Sequence, residues 1–574
     1  MLKKVLTVLL AALMAVACVP ALFACEGGGS DGSYDEDGNY KPGDDGVVTV
    51  TFWGYGDNAE TEVFGSIVED FNDTVGAENN IKVNYRVIPS TSYSSTASTA
   101  LGGSSAPDVL YVEDKYAKSW ADAQYLEQLD KKDEDGNYVY PGLEDFLDGS
   151  VWESGISRYR YDVESATSTD TSALWALPKD IGPTVIYYNV DYFEQLGIEI
   201  ISIPADELNG QYPEKGYFEQ NGTWYFNNRI PMNWEQTVEL AQRLQTEVET
   251  CDYGFFTEWW FFYGWSVGGD CVEYVVDENG NGYYEFTLDD DTYNYIVKND
   301  SDPITVNGNT YEAGEIISYT DKDDLTESQK TNNCNQLPSM KDAFLEFCSL
   351  TTDTTTEVGT KTDGTIKKGA GKVSMGANSL GSQDAEDLFV SGEIGMFVDG
   401  RWEVTFLRSS SMKTGSWDVA PLPMYYEEDD TSVHGVQAGH SGSVGLAISA
   451  NSDKKNAAWL FLRYVAGVEG QTAQSEAGFC IPNQIELANS DVFLQEDQDP
   501  KNSIIFVEAA SYETPGDWWY LKDSLWIDEW ANYLNYTVRE GNGTVDELFE
   551  MYGDSTQEKL YAYTNYTPSA NSIS

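Results

Sequence analysis

From Val47 to Tyr125 the apolar period switches repeatedly between two and 3.6, and that alternation limits the possible folds more than any other feature. Val48, Val50 and Phe52 fall on one side of a strand, with Val47, Thr49 and Thr51 on the other. Phe64, Ile67, Val68 and Phe71 then recur at helical spacing, and Ile81, Val83, Tyr85 and Val87 alternate again. A Ser/Thr-rich helix candidate leads to a short buried strand, Asp108–Val112, after which Lys115–Tyr125 reads as a helix. Strand–helix repeats of this kind build a mostly parallel sheet with helices on both faces, so the fold class is α/β. A second α/β block starts near Val190, where Asn233 opens a helix with Gln236 as its capping partner. Turn-rich inserts fall near 203–228 and 276–323, and 351–376 reads as a surface loop.

The first 25 residues address the chain to a membrane. Lys3 and Lys4 lead an apolar run from Val5 to Phe23 that closes on Leu22-Phe23-Ala24-Cys25. A basic start, a short apolar core and small residues before the cut describe a secretory signal peptide. The Leu-x-Ala-Cys ending resembles a bacterial lipobox, in which Cys25 becomes the lipidated first residue of the mature chain. An uncleaved membrane anchor and cleavage at Cys18 are the alternatives. Residues 26–46 are almost entirely small, polar and acidic with no apolar period, so a disordered acidic tether is expected, spanning roughly 25 Å as a random coil.

With 96 acidic against 33 basic residues the net charge is −63, and losing Lys3 and Lys4 with the leader takes it to −65. A surface so negative repels phosphates, which excludes nucleic acid as a partner. No second apolar run approaches the ~20 residues that span a bilayer. Cys251, Cys271, Cys334, Cys348 and Cys480 form an odd set with no zinc spacing, and both paired and free states are open. Two histidines, His434 and His440, are too few for a histidine metal centre. Residues 277–282 carry the start of a calcium loop, but its twelfth position would be Leu288, so an ordinary hairpin tip is the expectation. Sixteen tryptophans are a surplus for so polar a chain, and stacking on sugars is one use for them.

Four stretches, met in order behind the leader, resemble one family. They are Leu177–Asn189 followed by Phe193 and Leu196-Gly-Ile198, then Asn233-Trp-Glu, then Ser391–Trp402, then Gly439–Ser449 with Asn456–Leu462. They look like segments of the extracellular solute-binding lipoproteins of bacterial sugar ABC importers, of the maltose-binding-protein type, and cover roughly residues 47–480. The resemblance implies a two-lobed periplasmic-binding-protein-like fold of class II, with three crossing segments and a cleft between the lobes. The lobes expected from it are 47–184 plus 399–441, and 187–396 plus 446–574. It also implies a monomeric, non-enzymatic receptor for a carbohydrate, without cofactor or metal, that serves the permease subunits of a transporter on the outer face of the cell membrane.

Open α/β sheets bind ligands beyond the carboxyl ends of their strands. Trp53 ends the first strand, Glu113 and Asp114 follow the strand at 108–112, and Lys179, Asp180, Asp399, Arg401 and Trp402 adjoin the expected crossings. A sugar site combines flat aromatic plates for C–H faces with charged groups for hydroxyls. The candidate plates are Trp53, Trp402 and one of Trp259, Trp260 and Trp265, with Trp518 and Trp519 in reserve. The candidate polar groups are Asp57, Glu113, Asp114, Lys179, Asp180, Asp399 and Arg401, while Asp108, which opens its strand, reads as structural. A core, turn or cap role competes for each. A receptor for a peptide or polyamine and a surface glycoside hydrolase with paired carboxylates are the alternative functions.

Overall fold

The alternation at 48–52 is the strand Val48–Gly54, paired in parallel with Ile81–Val87 and with Val109–Glu113. In this computed structural model residues 29–43, 46–56, 58–376, 385–442, 444–512, 521 and 524–568 are described; the leader with Cys25, Asp57, Trp518 and Trp519 lie outside them. Phe52 fills the inner face, its ring meeting Phe64 of the helix Asn58–Asp73 and the rings of Tyr85, Tyr111 and Phe461. Asp108 is structural, as expected: its carboxylate accepts from the Thr51 backbone N–H at 2.8 Å and the Ser452 hydroxyl at 2.7 Å.

Lobe membership differs from the expectation in two segments. Val444–Ile448 enters the first sheet antiparallel to Val109–Glu113 and Leu177–Pro178, and the helix Lys455–Ala466 buries Trp459, Phe461 and Leu462 in the same core. Residues 446–480 therefore belong to the first lobe. Conversely, Met396–Asp399 and Trp417–Ala420 both pair with Val185–Asn189, a fully buried strand that takes a partner on each edge. This places 399–441 in the second lobe, and Ser391–Trp402 is no crossing. The lobes join where Gly182–Pro183 pairs with Ser441–Gly442. Beside that pairing, the Thr184 N–H donates to the His440 carbonyl at 2.9 Å and the Ile181 N–H to the Ile481 carbonyl at 3.1 Å. The three crossings run near residues 183, 441 and 481.

The second lobe absorbs both inserts. Thr223–Asn227 pairs in parallel with Ile198–Ile201 and folds back as a hairpin with Tyr217–Gln220. Val272–Val276 and Gly282–Phe286 form a second hairpin, whose tip is an ordinary turn: the Asp277 carboxylate accepts from the Asn281 and Asn279 backbone N–H groups, which hold it down at about 2. The surface loop at 351–376 contains a hairpin of its own, Glu357–Thr360 with Ile366–Lys368. Helices Leu525–Tyr533 and Val545–Tyr563 close the lobe and bury Trp526 and Trp530 in its core. All five cysteines beyond Cys25 are free, buried thiols.

Residues 29–43 correct the tether. Ser33–Tyr34 pairs with Tyr40–Lys41, and the hairpin docks on the start of the helix Lys455–Ala466. Asp31 accepts from the backbone N–H groups of Asn456 at 2.9 Å and Ala457 at 3.0 Å, and the Tyr34 hydroxyl donates to the Asn456 carbonyl at 2.8 Å. A helix start leaves N–H groups without partners and favours negative charge, so an acid from a distant polar segment can be ordered there.

A candidate ligand cleft between the lobes

A cleft of about 590 Å³ opens between the lobes, within the range of small-molecule sites. Strand ends and helix starts of the first lobe supply one wall. Tyr55 and Glu60 follow the first strand; Glu113, Asp114 and Lys115 span the junction of the strand Val109–Glu113 and the helix Asp114–Asp122. Gly56 sits between Tyr55 and Glu60 at φ +149, and a Cβ there would lie 2.1 Å from Glu60 Oε2, so only glycine permits this approach. The opposite wall carries Trp259, Trp402 and, from the tail helix and its start, Ile527 and Ser524. His440 and Gly182 close the floor at two crossings. The Trp402 indole folds back over Gly400, where a Cβ would lie 2.1 Å from the ring.

Charges in the cleft are largely paired. Lys179 is 3% exposed, and its ammonium lies 2.7 Å from Glu60 Oε1 and 3.0 Å from Asp180 Oδ2, above the rings of Phe64, Tyr111 and Phe479. Burial opposes its charge, but Asp180 and Glu60 outweigh burial and keep the pKa above the ordinary lysine value. Lys115 Nζ lies 2.7 Å from Glu113 Oε2. Arg158 stands behind Asp114 at 3.6 Å and opposes the upward push that burial gives this carboxyl. His440 is stacked on Trp259 with ring centroids 4.5 Å apart, and burial lowers its pKa to about 3. It stays neutral at physiological pH.

Six of the candidates thus meet in one place: Glu113, Asp114, Lys179, Asp180, Trp259 and Trp402. The other described candidates do not line it. Trp53 lies on the Thr49/Thr51 side of its strand, away from the cleft, with the Arg86 guanidinium 4.7 Å above its ring. Trp260 packs against Phe261, Phe344 and Trp530, and Trp265 donates its indole N–H to Asp270 at 3.0 Å, both in the second-lobe core. Arg401 is buried over Phe493 and Phe506, donates to the Ser503 hydroxyl, and burial lowers its pKa to about 9. Asp399 ends its strand, its carboxylate accepting the Gly400 N–H at 2.8 Å. Tyr55, Glu60, Lys115, Gly182, His440, Val444, Phe479, Ser524 and Ile527 are further lining residues. Tyr55 and Glu60 could have been found by extending the strand-end argument past Trp53; Phe479, Ser524 and Ile527 arrive by long-range packing that no local signal announces.

Residues 66–501 match the model of a family described as bacterial extracellular solute-binding protein. The chain belongs to that family. This solute-binding protein shares its two-lobed fold with an ABC substrate-binding protein from Listeria monocytogenes solved with cycloalternan, at TM-score 0.56 and 15% identity over 91% of this chain and 100% of the other. It is similar likewise to the GacH receptor of Streptomyces glaucescens, at 0.58 and 18% over 90% and 99%. Maltose-bound MalE3 of T. maritima aligns at 0.55 and 16% over 90% and 100%. No curated protein matches the chain. The family and these structural neighbours are binding proteins.

Proposed function

We propose that this solute-binding protein is a lipid-anchored receptor that captures an oligosaccharide between its lobes and delivers it to the permease of an ABC transporter. The observation that carries this reading is a cleft lined by the indoles of Trp259 and Trp402 whose charged groups are held in pairs. Tryptophan faces suit the apolar side of a pyranose, and fixed carboxylate–ammonium pairs offer acceptors and donors to hydroxyls without demanding a charged ligand. Over the whole chain acids outnumber bases by 63, yet here Lys179, Lys115 and Arg158 stand against Glu60, Asp180, Glu113 and Asp114. That near-balance favours a neutral polyol over a polyamine, which an open acidic wall would suit. Both lobes supply lining groups, so ligand favours the closed arrangement. Cycloalternan and maltose, named with two of the structural neighbours, are neutral oligosaccharides. Anchoring through Cys25, monomeric state and permease delivery complete the reading.

A thermal-shift screen of the mature protein against plant and host oligosaccharides, with spermidine and a short peptide as controls, tests it. A stabilising oligosaccharide, recovered intact after incubation, is the expected result. Stabilisation by the polyamine or peptide alone would overturn the carbohydrate reading, and cleavage products would turn it into that of a hydrolase.

A further inference from the structure

A second chamber of about 540 Å³ opens between the lobes beside the cleft. The segment 436–440 walls both: Val436 and Ala438 face this chamber, His440 the other. Thr167–Thr169 come from the first lobe, and Trp265, Val272, Tyr274, Tyr284 and Ile316 from the second. The wall is mostly apolar, and much of it belongs to the hairpin 272–286, which leads into one of the inserts that depart from the family resemblance.

Two carboxylates also line it, Asp270 and Glu273. One Asp270 oxygen is occupied, accepting the Trp265 indole N–H at 3.0 Å and the Cys271 N–H at 2.7 Å. The Glu273 carboxylate has no hydrogen bond or ion pair among the described residues. The charged groups around it are Asp270, Asp290, Glu285 on the facing strand, and Lys322. Lys322 is already committed: it is ion-paired with Asp290 and donates to Asn294 Oδ1 at 2.9 Å. Burial, and next Asp270, push Glu273 up to about 8. A carboxylate in an apolar wall without a counter-charge takes up a proton or a cation.

We infer that the second chamber seats an amino-substituted sugar of the ligand, its ammonium group paired with Glu273, while the rest of the oligosaccharide passes the 436–440 wall into the cleft. This rests on the carbohydrate reading and narrows it to amino-bearing oligosaccharides. Ammonium binding displaces the proton of Glu273, which leaves to the buffer as the carboxylate pairs with the cation.

Calorimetry in physiological salt, which screens the nonspecific pull of the acidic surface, tests the inference. Maltotetraose and cellotetraose are each compared with the same tetramer carrying one 2-amino-2-deoxyglucose at its non-reducing end. The amino form is expected to bind roughly ten- to a hundred-fold more tightly, as a charge-assisted hydrogen bond allows. Glu273→Gln should erase that preference and leave the neutral tetramer unchanged. At about pH 6, where an acid of this raised pKa is still protonated, the heat of binding the amino form should differ between buffers of different ionisation enthalpy; that readout needs no variant. Equal affinity for the neutral and amino forms, or a preference that survives Glu273→Gln, would overturn the inference while leaving the carbohydrate reading in place. If no tetramer binds in any form, both fall.

Discussion

Replacing Lys179 with methionine keeps most of the side chain's length and removes its charge. In the protein as it stands the ammonium touches two carboxylates at 2.7 and 3.0 Å and lies over three rings. Asp180 is more exposed than Glu60, whose residue is 7% exposed, so most of the uncompensated charge would fall on Glu60. Removing one partner of a buried pair costs about 3–5 kcal/mol. Part of that cost can be avoided by protonating Glu60, which gives the penalty a pH dependence of known sign. Burial already raises the Glu60 pKa, with Lys179 opposing, and the variant removes the opposition. A carboxyl whose folded pKa lies above its unfolded value costs nothing while both states are protonated, and costs increasingly as pH rises through the ordinary glutamate range. Urea denaturation of Lys179→Met should therefore show about 3–5 kcal/mol lost near pH 8 and clearly less near pH 5. A loss of the same size at both pH values, or one below about 1 kcal/mol near pH 8, would refute the buried ion triad as the support of the cleft wall.

Three further outcomes are expected. Trp402→Ala should weaken oligosaccharide binding roughly 5- to 150-fold, the worth of one stacked indole, with little change in melting temperature because the ring is only partly buried; a large drop in melting temperature without a selective binding defect would mark Trp402 as core. Cys25→Ala should move the protein from the membrane to the soluble fraction, and fractionation that still finds it anchored would point to an uncleaved span. Small-angle scattering should show a smaller radius of gyration once a binding sugar is added, from rotation about the crossings near residues 183, 441 and 481; superimposable curves would remove lobe closure from the mechanism.

Which parts of this could be read from the chain follows from how local the signals are. The strands and helices of 47–125 are written in period, and Glu113 and Asp114 were found because strand ends are visible in sequence, whereas Lys179 and Asp180 were found because they adjoin a crossing that the family resemblance implies. Trp53 was misplaced although its own alternation held the answer: it shares a face with Thr49 and Thr51, not with Phe52. The exchange of 399–441 and 446–480 between lobes has a different origin. Met396–Asp399 reads equally well as a crossing or as an edge beside Val185–Asn189, and only the pairing with a strand some 200 residues earlier decides it. Likewise the polar composition of 29–43 says nothing of Asp31, whose partners lie 425 and 426 residues onward.

If Cys25 is the proposed lipid anchor, that docked hairpin sets how far the receptor can roam. With acyl chains on Cys25, only Glu26, Gly27 and Gly28 separate the lipid from the first docked residue, a span of at most about 14 Å even when fully extended. A tether running to Gly46 would let the whole molecule tumble above the bilayer. Under the proposed anchoring, the first lobe would sit almost on the headgroups and the second would be the one that swings. Capture would then be a hinged arm closing onto a seated base, and the short radius of search would keep the loaded receptor at high effective concentration beside its permease.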